Sequence, residues 1–255
     1  MTRRIPGLGT GRAAKPAALA GGLLALALAT GCGSSGGGTV QGPAPTATPS
    51  SASPTEFPGP SSSLSASPST TPTESSNPLR DFHDDASGIS LTVPVGYVIA
   101  TTPAEAASRF PAVLGTGSDV PGKISDAQAR LRKNTIMIAF HAPIGGLSDN
   151  VGLLKIAGAG PSDPAEIQSL AFQSQARTSL TGVGAKNIKF SGTKLGGVPA
   201  EQVEYSISST GGSTVNGQQF YVARDTDVYI LTITGGTADR AQSAVDEITS
   251  SWTFS

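Results

Sequence analysis

The sequence is poor in the residues that build cross-links and metal centres. Among its 255 residues there are one cysteine and two histidines. A single thiol excludes both a disulfide within the chain and a cysteine-cluster metal site. Two imidazoles likewise exclude a site built from several histidines. We therefore expect the chain to fold without a metal or another cofactor.

The chain also lacks an excess of positive charge and a long apolar run. It has 17 basic and 18 acidic residues, whereas nucleic-acid-binding domains commonly carry a basic patch, so no nucleic acid is expected as a partner. The apolar run at residues 17–30 would form a helix of about 21 Å, shorter than the hydrocarbon core of about 30 Å. The run is therefore predicted to direct export rather than to span the membrane.

The start of the chain has the plan of an exported lipoprotein. Four basic residues and no acidic residue precede the apolar run, and Ala29 and Gly31 lead directly to Cys32. This arrangement resembles the lipobox of bacterial lipoproteins, in which diacylglycerol is attached to the cysteine sulfur and the leader is removed before it. We predict a signal peptide over residues 1–31 and an acylated Cys32 that anchors the protein on the extracytoplasmic face of the membrane. The alternative is secretory cleavage after Ala29, which would release a soluble protein with a free thiol.

Residues 32–77 have the composition of a linker. They consist mostly of serine, proline, threonine and glycine, and their only large apolar side chains are Val40, Phe57 and Leu64. Such a segment cannot offset a backbone ordering entropy of about 1–2 kcal/mol per residue. We predict a disordered linker between the anchor and the following domain. An O-glycosylated stalk is the alternative interpretation.

Residues 78–255 are predicted to form one α+β domain, long enough for a stable core. Alternating apolar residues predict several strands. These sets are Ile89, Leu91 and Val93; Ile136, Ile138 and Phe140; Val203, Tyr205 and Ile207; and Val228, Ile230 and Thr232. Segments 218–224 and 228–234, joined by a turn over residues 225–227, predict a central antiparallel hairpin.

Capping residues predict three helices. Asp163, with Pro164 and Glu166 after it, starts a predicted helix over residues 164–180. The same logic at Thr102 gives a helix to about residue 110, and Thr237 starts a C-terminal helix. Residues 252–254 are predicted to close the chain as a strand. Residues 111–122 and 145–150 lack periodicity and are predicted to be loops, with a helix near 125–132 between them.

These elements follow the order of a known family. Residues 87–97, with the sequence Ser-Gly-Ile-Ser-Leu-Thr-Val-Pro-Val-Gly-Tyr, resemble the opening strand and turn of Mog1/PsbP-like domains. Segment 195–201, the hairpin around Asp225 and the closing residues 251–254 follow in the family's order. With the lipobox and linker in front, the whole is similar to the LpqN-like group of actinobacterial lipoproteins. The resemblance implies an α/β/α sandwich with a mainly antiparallel sheet of six or seven strands, and it carries over no catalytic residues.

Candidate residues for chemistry are few. Asp81, His83, Asp84 and Asp85 lie close together, with Asp81, His83 and Asp85 on one face if the segment is a strand. We nevertheless interpret them as a polar edge rather than a metal site, because further ligands are missing. His141 is interpreted as a strand-terminal residue. No Gly-x-Ser-x-Gly motif of hydrolases lies between a predicted strand and a predicted helix, and residues 191–194 match Ser-x-x-Lys without companion motifs.

The sequence therefore favours a non-enzymatic function. The leading hypothesis is a monomeric, membrane-anchored module that binds or scaffolds a cell-envelope partner through its sheet edge or loops. The alternative is a carrier of a small apolar or lipid-like ligand, held between the sheet and residues 111–122. A hydrolase comes third, because it would need a convergent polar cluster around His83 or His141.

Overall fold

The computed structural model describes residues 80–143, 148–208 and 212–255. The predicted signal peptide, Cys32 and the linker lie outside the described residues and remain predictions. The strands are β1 Asp81–Asp84, β2 Ile89–Thr92, β3 Tyr97–Ala100, β4 Thr135–His141, β5 Asn150–Ile156, β6 Ala185–Leu195, β7 Val198–Ser208, β8 Thr214–Arg224, β9 Asp227–Gly235 and β10 Thr253–Phe254. The helices are α1 Pro103–Leu114, α2 Val120–Leu131, α3 Leu170–Gly182 and α4 Ala238–Ser251, and a 3₁₀ helix covers Pro164–Gln168.

The architecture is an antiparallel sheet with helices on both faces. The larger sheet has seven strands in the order β3-β4-β5-β9-β8-β7-β6, and a smaller sheet has the order β1-β2-β10. Every pairing in both sheets is antiparallel. The prediction of an α+β sandwich with a mainly antiparallel sheet of six or seven strands is confirmed.

Side chains alternate between the two faces of the larger sheet because successive residues of a strand point in opposite directions. On one face, which we call the α4 face, Met137, Leu231 and Phe220 pack with Ile248 of α4 and with Trp252. The opposite face, the α3 face, carries two separate apolar clusters. One lies beneath α3 and the 3₁₀ helix, and the other lies beneath α1 and α2.

Two of the predicted helix starts are confirmed by their caps. The Thr102 side chain accepts a hydrogen bond from the Glu105 backbone and Glu105 reaches back to the Thr102 backbone, which forms a capping box. Thr237 caps α4 by accepting from the Arg240 backbone N–H. None of the helices in the described ranges is long and apolar enough to cross a membrane.

The predicted loop over residues 111–122 is confirmed only for residues 115–119 and is wrong at both ends. Helix α1 continues past the expected end at residue 110 to Leu114, and α2 begins at Val120, earlier than the expected 125. The proline and glycine residues there suggested a loop. However, Leu114 and Val120 are buried in the cluster with Phe110, and this tertiary packing outweighs the local propensity.

The predicted helix over residues 164–180 is interrupted. Asp163 caps only the 3₁₀ helix Pro164–Gln168, and its side chain accepts from the Ala165 backbone N–H. Ser169 then adopts an extended conformation and caps α3 by accepting from the Phe172 backbone N–H. A second capping residue therefore divides what the spacing predicted as one helix.

The hairpin and the chain end agree closely with expectation. Strands β8 and β9 pair antiparallel, and the turn between them is the two residues Asp225 and Thr226, because Asp227 already belongs to β9. The closing strand is Thr253–Phe254, with Trp252 as the C-cap of α4. Of the loop expected at 145–150, residues 145–147 lie outside the described residues, and Asn150 already begins β5.

Candidate functional site

A cleft on the α4 face lies beside the N-terminal half of α4 and has a volume of about 310 Å³. This volume is at the lower end of the range for small-molecule sites. Strands β6, β7 and β8 and helix α4 all contribute to it. We call it the α4 cleft, and its polar lining residues are Asn187, Lys189, Glu204, Ser206, Asn216, Gln218, Asp239 and Gln242.

The polar character of the α4 cleft follows from the alternation along β7. Val203, Tyr205 and Ile207 are buried on the α3 face, so Glu204 and Ser206 point to the opposite face. Helix α4 packs on β8 and β9 and on β2 of the smaller sheet. The α4 face of β6 and β7 thus extends beyond the helix, and the cleft forms along this margin.

A chain of amide hydrogen bonds crosses the cleft from the sheet to the helix. Gln202 Nε2 donates to Gln218 Oε1 at 2.7 Å, and Gln218 Nε2 donates to Gln242 Oε1 at 2.8 Å. Gln242 Nε2 donates in turn to Asp246 Oδ1 at 2.7 Å. An amide has two donor hydrogens and an acceptor oxygen with two lone pairs, so each of these glutamines retains hydrogen-bonding capacity for a ligand.

Three charged side chains of the cleft have no ion pair within the part of the chain that the structure describes. Lys189 and Glu204 are directly opposite in the register of β6 and β7, and both are exposed. Asp239 is exposed in the first turn of α4, on the opposite wall. The cleft therefore offers one positive and two negative groups.

Beneath the cleft floor, Tyr205 packs against the backbone of Gly217. The two residues are cross-strand partners in β7 and β8. A Cβ atom at Gly217 would lie 2.3 Å from Tyr205 Cζ, so the ring occupies the space that a side chain would need. Burial raises the pKa of the Tyr205 phenol, and its hydroxyl has no hydrogen-bond partner among the described residues. Both residues are among those that line the cleft, while the Tyr205 side chain belongs to the apolar cluster of the α3 face.

A buried carboxyl lies outside the cleft, on the α3 face. Glu201 is fully buried, and its Oε1 accepts a hydrogen bond of 2.9 Å from Gln173 Nε2 of α3. Its Oε2 has no partner among the described residues. Burial raises the pKa of this carboxyl, and the Gln173 hydrogen bond opposes that shift. Glu201 does not line the cleft, and we expect it to affect the stability of the fold.

The structure brings His83 into a line with a serine and an aspartate. His83 Nδ1 lies 2.7 Å from Ser90 Oγ, and His83 Nε2 lies 2.8 Å from Asp85 Oδ1. The order resembles a Ser-His-Asp triad. However, the side chains of His83 and Asp85 are 54% and 98% exposed, so water screens the carboxylate, and none of the three residues lines the described cleft.

The other residues near His83 do not converge on one point. Asp85 follows the end of β1, so the expected shared face with Asp81 and His83 does not extend to it. Asp81 Oδ1 accepts from Thr92 Oγ1 at 3.0 Å, and Asp84 Oδ2 accepts from the Ser87 backbone N–H. Across the described ranges, no group of three or more histidine, cysteine, aspartate or glutamate residues is arranged to hold a metal ion.

The remaining candidates also lie apart from the cleft. His141 is the last residue of β4, as expected, and its Nδ1 donates to the Ala142 carbonyl oxygen at 2.8 Å. Ser191 and Lys194 both belong to β6, where an odd spacing places them on opposite faces. They cannot act together as a nucleophile and base.

The space expected to hold an apolar ligand is filled by side chains. Phe110 and Leu114 of α1 and Val120 of α2 pack on Ile138 and Phe140 of β4. The rings of Phe110 and Phe140 meet edge to face with 4.8 Å between their centroids. The apolar ligand that the carrier hypothesis placed between the sheet and residues 111–122 therefore has no space there.

The edge strand β6 has the features that discourage pairing with another strand. It carries exposed Lys186, Lys189 and Lys194, and its register shifts at a bulge between Lys186 and Lys189. Lysines and bulges are common devices against edge-to-edge association. The cleft is thus a better candidate for ligand binding than this edge.

The sequence interpretation singled out none of the charged cleft residues, although one signal for them was available. Residues Gly196 and Gly197 form a two-residue connection between β6 and β7. Leu195 and Val198 are partners next to this connection. Six residues before Leu195 is Lys189 and six residues after Val198 is Glu204, so an antiparallel register pairs them, as observed. The contribution of Asp239 depends on how α4 packs, for which no local signal exists.

Comparisons with known proteins give structural likenesses only. No protein-family model matches the chain, and no curated protein matches it. Among solved structures, LpqN of Mycobacterium tuberculosis, described as involved in cell envelope biogenesis, is 18% identical with a TM-score of 0.41 and is matched over 69% of this chain and 89% of its own. Cyanobacterial PsbP (CyanoP) of Synechocystis sp. PCC 6803 is 11% identical with a TM-score of 0.40, over 73% of this chain and 98% of its own. Likenesses at this level carry no argument about function.

Proposed function

We propose that this protein is a non-catalytic binding module, held on the extracytoplasmic face of the membrane by acylated Cys32, that binds a small polar molecule of the cell envelope in the α4 cleft. The observation that carries the binding role is the cleft itself. It combines a molecule-sized volume with unpaired Lys189, Glu204 and Asp239. Charged side chains left without protein partners around a concavity are available to a ligand.

The sequence supports the proposed location. Cys32 stands where the apolar run ends, and a segment rich in serine, proline, threonine and glycine separates it from the folded residues. Two acyl chains are enough for stable anchoring, at about 0.8 kcal/mol per buried CH₂ group. The linker then confines the cleft to a thin layer next to the membrane, which raises its effective concentration toward envelope molecules.

The two alternatives are less well supported. A carrier of an apolar ligand would need an apolar cavity, whereas eight of the twelve residues that line the α4 cleft carry an amide, a serine hydroxyl or a charged group, and the others are Tyr205, Gly217, Ala238 and Ala241. A hydrolase would need its nucleophile beside a substrate site and oxyanion donors. The Ser90–His83–Asp85 line instead lies on an exposed part of the smaller sheet.

The binding role can be tested by photo-crosslinking in the protein's own cells. A diazirine-bearing amino acid at Ala238, an exposed cleft residue in the first turn of α4, should capture the occupant of the cleft. The same residue at Ala104 is a matched control, because Ala104 is exposed in the first turn of α1. Mass spectrometry should find one small-molecule adduct at position 238 and none at 104. No adduct, or equal adducts at both positions, would argue against the cleft as the binding site.

A further inference from the structure

The charges of the α4 cleft have an arrangement that specifies the kind of ligand. Lys189 and Glu204 stand directly opposite each other on neighbouring strands, where oppositely charged residues usually interact. No ion pair joins them or involves either one elsewhere in the described residues, and both are exposed. Each is therefore free to pair with a charge on a ligand.

The helix wall adds a second negative group and several hydrogen-bonding groups. Asp239 lies across the cleft from the Lys189 and Glu204 strands. Gln218 is the cross-strand partner of Glu204, and its side chain is joined to that of Gln242 by a hydrogen bond. Amides of this kind complement a peptide group, which also presents one donor and one acceptor.

These features disfavour simpler ligands. A purely anionic molecule would meet two carboxylates and one ammonium group, and a purely apolar one would leave all three charges desolvated without partners. A metal ion would need more oxygen ligands than two carboxylates supply and would lie near a lysine ammonium group. A molecule that carries both an ammonium and a carboxylate group satisfies every charge.

We propose that the α4 cleft binds a short free peptide as a zwitterion. The peptide carboxylate pairs with Lys189, its ammonium group pairs with Glu204 and Asp239, and its amide meets Gln218 and Gln242. This inference rests on the proposed function, because it assumes that the cleft is the binding site. The cleft volume of about 310 Å³ suits a small ligand, so a dipeptide is the simplest probe.

Titration calorimetry of the full mature protein in detergent can test this with the dipeptide Ala-Gln in four forms. The forms are free, N-acetylated, C-amidated and blocked at both ends. Charge-assisted hydrogen bonds contribute about 1.5–3 kcal/mol, so blocking either end should weaken binding about tenfold or more. Binding of the doubly blocked form as tightly as the free form would overturn the inference.

Variants assign each end of the peptide to its partner. In K189Q the free and C-amidated peptides should bind equally, and in the double variant E204Q/D239N the free and N-acetylated peptides should bind equally. K194Q is the matched control, since Lys194 lies on the same strand but on the opposite face, and it should leave all four affinities unchanged. A variant that weakens all four forms by the same factor would contradict the assignment.

Sucrose, an uncharged polyol, separates failure of this inference from failure of the proposed function. If sucrose binds, if Q242A weakens that binding and if Ala-Gln does not bind, the zwitterion inference is wrong and the cleft remains a binding site. If neither probe binds and position 238 captures no adduct in cells, both proposals fail.

Discussion

The Tyr205–Gly217 pair supports the floor of the proposed binding site, and the substitution Gly217→Ala tests it. An added Cβ would lie 2.3 Å from Tyr205 Cζ, 2.5 Å from Cε2 and 2.7 Å from the hydroxyl oxygen. Because Tyr205 is only 4% exposed, its ring cannot move into solvent to relieve the contact. Either the ring or strand β8 must shift.

Two opposing effects set the expected magnitude. Replacing a glycine by alanine in a strand ordinarily stabilises by about 0.5–1 kcal/mol, because the unfolded chain loses conformational freedom. Overpacking a buried site destabilises by about 1–3 kcal/mol. Since the contact is with the rigid part of a buried ring, we expect the steric effect to exceed the backbone effect, with a net loss of about 0.5–2 kcal/mol. For a domain of this size that lowers Tm by a few degrees.

Urea unfolding and thermal melts of G217A, G122A, Y205L and the double variant Y205L/G217A would measure this. G122A is the matched control, because Gly122 lies within α2 and a Cβ there would have nothing within 4 Å, so it should be more stable than the unmodified chain. In a Tyr205→Leu background the ring is gone, and Gly217→Ala should then stabilise. If Gly217→Ala stabilises equally with and without the ring, the reasoning about this contact is wrong.

The remaining predictions concern a buried carboxyl, a helix cap and the anchor. Because burial raises the pKa of Glu201, the unmodified chain loses stability as pH rises from the unfolded-state value through that raised pKa. In urea unfolding, the unfolding free energy of E201Q should equal that of the unmodified chain near pH 4 and exceed it by about 1 kcal/mol near pH 8. The same difference in unfolding free energy at both pH values would contradict the raised pKa. T102A removes the capping box of α1 and should lower stability by about 1 kcal/mol in thermal melts, with S108A as a control of little effect. C32S should move the protein from the membrane fraction to the soluble fraction, and continued sedimentation with membranes would count against a lipid anchor.

The parts of the fold that were predictable from sequence are those with local chemical causes. The caps at Thr102 and Thr237, the turn at Asp225 and the alternation along β7 each depend on residues close together in the chain. The error at residues 111–122 has the opposite origin. Pro111 and Gly122 have poor helix propensity, and the helices exist because Leu114 and Val120 are buried against distant strands.

In the candidate site too, some features follow from local sequence and others depend on tertiary packing. Register counting from the Gly196–Gly197 connection places Lys189 beside Glu204, so two of the three charged cleft residues were accessible from sequence. The hydrogen bond of His83 with Ser90 also depends on register, through the pairing of β1 with β2. The position of Asp239 and the Gln218–Gln242 bond require the docking of α4. That docking is set by the buried residues Ala241, Ala244, Val245 and Ile248, of which Ala241 also lines the cleft.

The position of the cleft follows from the unequal covering of the two faces of the sheet. Helices α1, α2 and α3 all lie on the α3 face, and β7 places Val203, Tyr205 and Ile207 there. The α4 face is covered over β8 and β9 by one helix, and the smaller sheet adds to that apolar cluster without reaching the described cleft. Polar residues can remain on the uncovered parts of β6 and β7 without a desolvation cost. The cleft lies where helix α4 borders this uncovered polar surface. Its charged residues are not part of the apolar core, so substituting them should leave the fold intact. Variants of Lys189, Glu204 and Asp239 should therefore alter ligand selectivity while unfolding free energies stay within about 0.5 kcal/mol of the unmodified chain.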